Sequence, residues 1–259
     1  MIFTISNQKG GVGKTTTALN LATYLAEAGK RVLLIDLDPQ ANLTSGLGLN
    51  RKQSAAEATE KRITIYDIIL SQANIKDGIV KTRQKNLDLI PASIDLAGAE
   101  VELVGALSRE TILQNALVEI KGNYDYIFID CPPSLGILPI NAFVASDLVL
   151  IPVQCEYFAL EGLSQLMNTI SLVKNRLNQK LDIGGVILTM FDTRTNLSKQ
   201  VADEIRAFFK DKVMLQQIPR NIKLAESPSF GKSIFEYDSS STGAEAYRAL
   251  AEEFITRFS

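Results

Sequence analysis

The 259-residue chain contains no histidine. That removes the commonest general base of enzymes and the ligand found in most zinc sites. Cysteine is nearly as scarce. There are two, Cys131 and Cys155, and they show neither metal-site nor redox-motif spacing. So few cysteines argue against a disulfide framework, and a reducing, cytoplasmic compartment is the simplest expectation. No apolar run is long enough to span a bilayer, and the N-terminus enters an apolar strand directly, without a signal-peptide pattern. Nor is one sign of charge in excess: 27 Lys and Arg against 29 Asp and Glu leave a net charge of −2. Any contact with nucleic acid must therefore come from a local patch, because there is no bulk positive field.

What the chain does have is apolar content, 46% of residues, ample for a core; its length suits one α/β domain spanning 1–259. The continuous runs Val32-Leu33-Leu34-Ile35, Ile127-Phe128-Ile129, Leu148-Val149-Leu150-Ile151 and the shorter Val186-Ile187-Leu188 read as strands buried on both faces. Helical patterns lie between them, around residues 107–121, 157–177 and 196–210. This alternation predicts an α/β fold with a doubly wound, mostly parallel sheet flanked by helices. Residues 51–62 are polar and charged and predict an exposed excursion. Residues 219–241, with Pro219, Pro228, Gly231 and several serines, predict a long, partly irregular loop of the kind that is often functional. A last helix over 243–258 sets Ala246, Tyr247, Leu250, Phe254 and Phe258 on one face, ready to pack on the sheet.

One stretch carries chemistry by itself: Gln8-Lys9-Gly10-Gly11-Val12-Gly13-Lys14-Thr15-Thr16. It follows the apolar run Ile2-Phe3-Thr4-Ile5 and leads into an amphipathic helix that starts near Lys14 and ends at Gly29. Strand, glycine-rich turn and helix together form a cradle of backbone N–H groups, backed by the positive end of the helix dipole. Lys14 can reach β- and γ-phosphates, and the Thr15 hydroxyl suits Mg²⁺. The general phosphate-loop pattern is G-x-x-x-x-G-K-[ST]; here Gln8 stands in place of its first glycine, and Lys9 follows.

Two strand ends add carboxylates. Asp36-Leu37-Asp38-Pro39-Gln40 closes the second strand, at the sheet edge where ligands of open α/β folds bind. Carboxylates in alternate positions of a strand end need not share a role, and the loop after Asp38 can approach a γ-phosphate and orient a water. The bland alternative is a turn aspartate before Pro39. Tyr126-Ile127-Phe128-Ile129-Asp130 is a second strand ending in a carboxylate; paired with Gly13-Lys14-Thr15 it reads as the residue that holds the metal beside the phosphates.

The loop, with its additional Lys9, resembles the deviant Walker A motif of the ParA and MinD ATPases. The resemblance to ParA/Soj chromosome-partitioning ATPases extends nearly end to end, through Asp130-Cys131-Pro132-Pro133-Ser134, Pro152-Val153-Gln154-Cys155-Glu156, residues 189–197 and Ile218-Pro219-Arg220-Asn221. It implies a P-loop ATPase that takes ATP and Mg²⁺ and forms a sandwich homodimer with ATP. It further implies that the dimer binds double-stranded DNA without sequence preference, in the cytoplasm and on the nucleoid, and hydrolyses ATP slowly until stimulated by a ParB-like partner. In that resemblance Lys9 crosses the dimer interface to the other subunit's phosphates, and Lys9, Gly10, Gly11, Val12, Gly13, Lys14, Thr15 and Thr16 bind nucleotide. Thr15 and Asp130 serve the metal, Asp38 positions the attacking water, and Pro219 and Asn221 match the adenine-side loop. Arg194 and Arg220 match the DNA-contacting arginines, although a lone surface arginine is usually only solvated; Lys199 and Lys223 would extend such a patch.

Three other readings use the same residues. A MinD-like membrane-positioning ATPase needs a basic amphipathic C-terminal helix, whereas Glu252-Glu253 precede the final Thr256-Arg257-Phe258-Ser259. An iron–sulfur relative would need cysteine ligands across a dimer, but apolar neighbours make Cys131 and Cys155 packing residues. A binding module without turnover conflicts with the presence of Asp38.

Overall fold

The apolar runs form strands because helices cover both of their faces. The computed structural model describes residues 1–49, 62–156 and 159–259. Its strands are β1 (Ile2–Ile5), β2 (Val32–Asp36), β3 (Val80–Lys81), β4 (Leu87–Ile90), β5 (Tyr126–Asp130), β6 (Leu148–Gln154) and β7 (Asp182–Thr189). They make one sheet in the order β3-β4-β2-β5-β1-β6-β7. Every neighbouring pair is parallel except β3 with β4 at the edge. Parallel neighbours need crossover connections, and these are the helices α1 (Lys14–Glu27), α2 (Asn42–Gly46), α3 (Ile65–Ile69), α4 (Leu96–Glu102), α5 (Ile112–Leu117), α6 (Ile137–Ala145) and α7 (Ala159–Arg176); α8 (Asn196–Phe209) follows the last strand. Beyond them come α9 (Ile222–Glu226), α10 (Ile234–Tyr237) and α11 (Thr242–Phe258).

Alternate residues of each strand serve opposite layers. Val32, Leu34 and Phe128 face the layer of α1 and α11. Leu33, Ile35, Ile127 and Ile129 face α3 to α6, and Val149, Ile151, Val186 and Leu188 face α7 and α8. α11 is seated by aromatic packing: the Phe254 ring lies 4.9 Å from Phe3 and 5.6 Å from Phe128, centroid to centroid. A side chain buried like Phe254 contributes about 1.5–3 kcal/mol by burial alone.

Three expectations change. The helix expected over 107–121 is cut to α5: on its N-terminal side Ser108 sits at φ 52°, a left-handed conformation through which no α-helix of L-residues runs, and on its C-terminal side Ile120 leaves helical geometry at φ −122°. The irregular segment 219–241 contains α9 and α10. Asn221 caps α9 by accepting from the Leu224 N–H, and Ser233 with Glu236 forms a reciprocal capping box on α10. β4 escapes a search for apolar runs because Asp88 interrupts it; that carboxylate is hidden under Lys81 and the Tyr124 hydroxyl, each at 2.8 Å. Nearly all of the charged stretch 51–62 lies outside the described residues; Arg62, at its end, donates to the Leu49 carbonyl at 3.0 Å.

Candidate active site

β1, between β5 and β6 in the sheet, delivers the chain into the glycine-rich loop, and the loop is pinned from three sides. The buried Asn7 amide donates to the Pro152 carbonyl at 2.7 Å, and its oxygen accepts the Lys9 N–H at 3.0 Å. From β7 the Thr189 hydroxyl donates to the Val12 carbonyl at 2.8 Å. Gly11 (φ 72°) and Gly13 (φ 87°) occupy the left-handed region, where a side chain would be strained. α1 starts directly after Gly13, with no side chain capping its first N–H groups. These donors are the ones a phosphate accepts from.

Gly10, Gly11, Gly13, Lys14, Thr15 and Thr16 line a cavity of about 560 Å³ together with Asp38. The Lys14 side chain is 7% exposed and folds back so that its ammonium donates to the Lys9 carbonyl at 3.1 Å. Burial lowers its pKa, and Asp130 and Asp38 act against that. Lys9 does not line this cavity: its ammonium lies 3.7 Å from Glu156, and both side chains are about half exposed.

β2 and β5 place their terminal carboxylates side by side, Asp36 in register with Asp130. Both oxygens of Asp130 are buried without a hydrogen bond. Burial first, and Asp36 second, push its pKa well up; Thr15 and Lys14 counter this without a closed hydrogen bond. A buried carboxylate left without donors is poorly placed as a structural anion and well placed to meet a cation. Asp36 is also raised by burial, to about 6, but it is satisfied by three donors on Asp38 and Thr44. Asp38 serves two purposes. One oxygen accepts the Gln40 N–H at 2.9 Å, as a turn aspartate would, and the residue lines the cavity. The functional and turn readings of this aspartate are therefore compatible.

A family model described as an AAA domain matches residues 1–183. The chain is 58% identical over 252 residues to the sporulation initiation inhibitor protein Soj of Bacillus subtilis (strain 168), covering 97% of each. It is 52% identical over 258 residues to the chromosome partitioning protein ParA of Caulobacter vibrioides (strain NA1000 / CB15N), covering 99% of this chain and 94% of that one. The chain belongs to the ParA/Soj family of partitioning ATPases. Its fold also matches a putative plasmid partition protein from Borrelia burgdorferi bound to AMPPNP, with a TM-score of 0.83, 30% identity and coverage of 99% and 98%.

The remaining residues picked out in this ParA/Soj chain lie on a second cleft. Phe191 beyond β7 bridges to Pro219, and Pro219, Arg220, Asp192, Arg194, Thr242 and Glu245 line a space of about 950 Å³. The cleft adjoins the phosphate loop through Thr189, two residues before Phe191; the Thr189 hydroxyl holds the Val12 carbonyl. Asn221 stands behind it, its amide donating to the Thr242 hydroxyl at 2.8 Å. Arg194 is already engaged: its guanidinium grips Asp192 at 2.9 and 2.7 Å. That hold, with Arg220 as a weaker contributor, keeps the Asp192 carboxyl near 2. Two arginines and two acids thus share the cleft. Lys223, offered above as an extension of the patch, pairs with Glu226 at 3.5 Å.

Sequence reasoning missed the far wall of the phosphate cavity, formed by Asn42, Ser45 and Gly46 of α2 and by Pro228 and Ser229. The last two lie in the segment flagged as a functional loop, but nothing in their own types points to phosphate. Cys131 and Cys155 are 1% and 2% exposed. Burial raises both thiols, Cys131 well above its ordinary value and Cys155 to about 11. Neither should react with a disulfide reagent at neutral pH until the protein is denatured, when two thiols should titrate. Replacing both with alanine should cost about 1–2 kcal/mol each in denaturant unfolding and leave ATP hydrolysis within twofold. Stoichiometric iron in anaerobically purified protein would overturn the packing role.

Proposed function

We propose that the chain, acting as one domain over 1–259, is an ATP-operated switch for segregating chromosomes or plasmids. Loaded with ATP it forms a sandwich homodimer that binds double-stranded DNA without sequence preference. Slow hydrolysis, accelerated by a ParB-like partner, returns it to the monomer. The observation that carries this reading is the position of Lys9, which is excluded from its own phosphate cavity and half exposed at the rim. A lysine there has no phosphate of its own to neutralise and is free to reach one on a second copy.

The residues present fit ATP with Mg²⁺. Loop amides and Lys14 would hold the β- and γ-phosphates, Thr15 and the donor-free Asp130 would hold the metal, and Pro219 and Asn221 would border the adenine side. Bound there, Mg²⁺ supplies charge neutralisation on the phosphates. Asp38 orients a water toward the γ-phosphate. Phosphoryl transfer demands positioning and charge more than a strong base, so a site without histidine suffices, though a slow one is expected. Against a MinD-like membrane role, the apolar face of α11 is occupied by the core: Ala246, Tyr247, Leu250 and Phe254 are buried. No helix among the described residues is long and apolar enough to cross a membrane.

The test is an ATP-dependent mobility shift of two unrelated duplexes of equal length, with light scattering on the same samples. Both duplexes should shift equally with ATP and little with ADP, and the shift should fall steeply with salt. Arg220→Glu should abolish the shift and keep the ATP dimer. Arg194→Glu should weaken it less, because Asp192 already offsets that charge. A strong preference for one duplex, or equal binding by the ADP monomer, would sink the DNA reading, and binding to anionic liposomes instead would promote a membrane role.

A further inference from the structure

Asp36 is the one carboxylate of the site with no role in the reading above, yet it is the best satisfied. It is fully buried at the end of β2. Oδ1 accepts the Asp38 N–H at 3.2 Å; Oδ2 accepts both the N–H and the hydroxyl of Thr44, at 2.8 and 2.6 Å. The Thr44 hydroxyl in turn accepts the Ala92 N–H beyond β4 at 3.1 Å. One side chain thus holds both ends of the segment from Asp38 to Thr44, and the threonine ties that segment to the neighbouring strand.

The segment needs holding. Ala41, in its middle, sits at φ 52° and ψ 35°, a left-handed conformation that an alanine adopts only when its surroundings impose it. Asp38, Gln40 and Asn42 of the segment, and Ser45 and Gly46 just beyond it, line the phosphate cavity, so the held segment forms part of the cavity wall. A small drift of this wall would misplace the water without altering the loop that binds the nucleotide.

We propose that Asp36 and Thr44 are positioning residues for hydrolysis: they clamp the strained Asp38–Thr44 turn so that Asp38 meets the attacking water. The proposal rests on the reading of Asp38 given above. It separates turnover from binding, since the loop amides lie between β1 and α1, and Lys14 and Thr15 on α1, outside the clamp.

The experiment compares Thr44→Val, Thr44→Ser and Asp36→Asn with wild type and with Asp38→Ala, measuring kcat, KM for ATP, affinity for a fluorescent ATP analogue, and melting temperature. Valine keeps the shape of threonine and removes the hydroxyl; kcat should fall at least about 10-fold with KM and analogue affinity within about threefold. Serine restores the hydroxyl and should return kcat to within about threefold of wild type. Asp36→Asn removes a buried charge beside Asp130, so its folding is the least at risk. It keeps one acceptor oxygen where the clamp uses two, and its kcat should fall as for valine. Wild-type kcat in a folded Thr44→Val or Asp36→Asn, with Asp38→Ala inactive, overturns the clamp and leaves the Asp38 reading intact. Wild-type turnover by Asp38→Ala overturns that reading, and the clamp with it. A loss shared equally by Thr44→Ser and Thr44→Val, or matched by a loss of analogue affinity, makes the contacts merely structural and also overturns the proposal.

Discussion

ATP hydrolysis by an Asp38→Ala variant is expected to fall roughly 100-fold or more, the scale on which a positioned group assisting proton transfer or orienting water contributes. Asp38 is 7% exposed, lines the phosphate cavity and follows β2 at the edge where ligands of parallel sheets bind. The variant also loses the acceptor for the Gln40 N–H, a hydrogen bond worth about 1 kcal/mol. Asp38→Asn separates the two effects, because it retains an acceptor for the turn and removes the carboxylate charge. If the carboxylate orients the water, both variants lose turnover, both bind ATP, and both remain dimeric for as long as ATP is present. Steady-state phosphate release with light scattering on the same samples decides it. Turnover near wild type in Asp38→Asn would assign the residue to the turn alone.

Lys9→Ala should leave ATP affinity within about threefold and abolish ATP-dependent dimerisation at micromolar protein. The Lys9 side chain lies outside its own cavity, so its loss subtracts nothing from the monomer's hold on phosphate. In a symmetric dimer the variant loses two contacts to charged phosphates. At about 1.5–3 kcal/mol each these sum to about 3–6 kcal/mol, or roughly 10²–10⁴-fold in the dimer dissociation constant. What Lys9 leaves behind is slight: a half-exposed pair with Glu156 at 3.7 Å is worth at most about 1 kcal/mol in water. Glu156→Gln should therefore dimerise with ATP at least as well as wild type. Sedimentation or light scattering with ATP and with ADP makes the comparison, and a Lys9→Ala protein that dimerises like wild type would end the proposed trans role.

The sequence by itself determined the five apolar strands of the sheet and the phosphate loop. Both are local: a strand buried on two faces must be apolar at every position, as Leu33 and Leu34 are, and the left-handed turns at Gly11 and Gly13 need residues without a side chain. Asp130 and Asp38 were legible for the same reason, since a carboxylate at the end of an apolar strand is at the functional edge wherever the strand sits in the sheet. Tertiary structure decided which contacts each carboxylate makes. Asp36 and Asp38 are two residues apart and chemically alike, and only the arrival of Thr44, itself held by Ala92, ties up Asp36 in hydrogen bonds while Asp38 lines the cavity. The same holds for Arg194, whose charge is offset by Asp192, and for Lys9, whose distance from its own phosphate site depends on which way the loop turns. Those outcomes depend on distances between chain segments far apart in sequence. Composition and periodicity record burial and backbone geometry, and they carry no trace of which hydrogen-bond donors converge on a given oxygen.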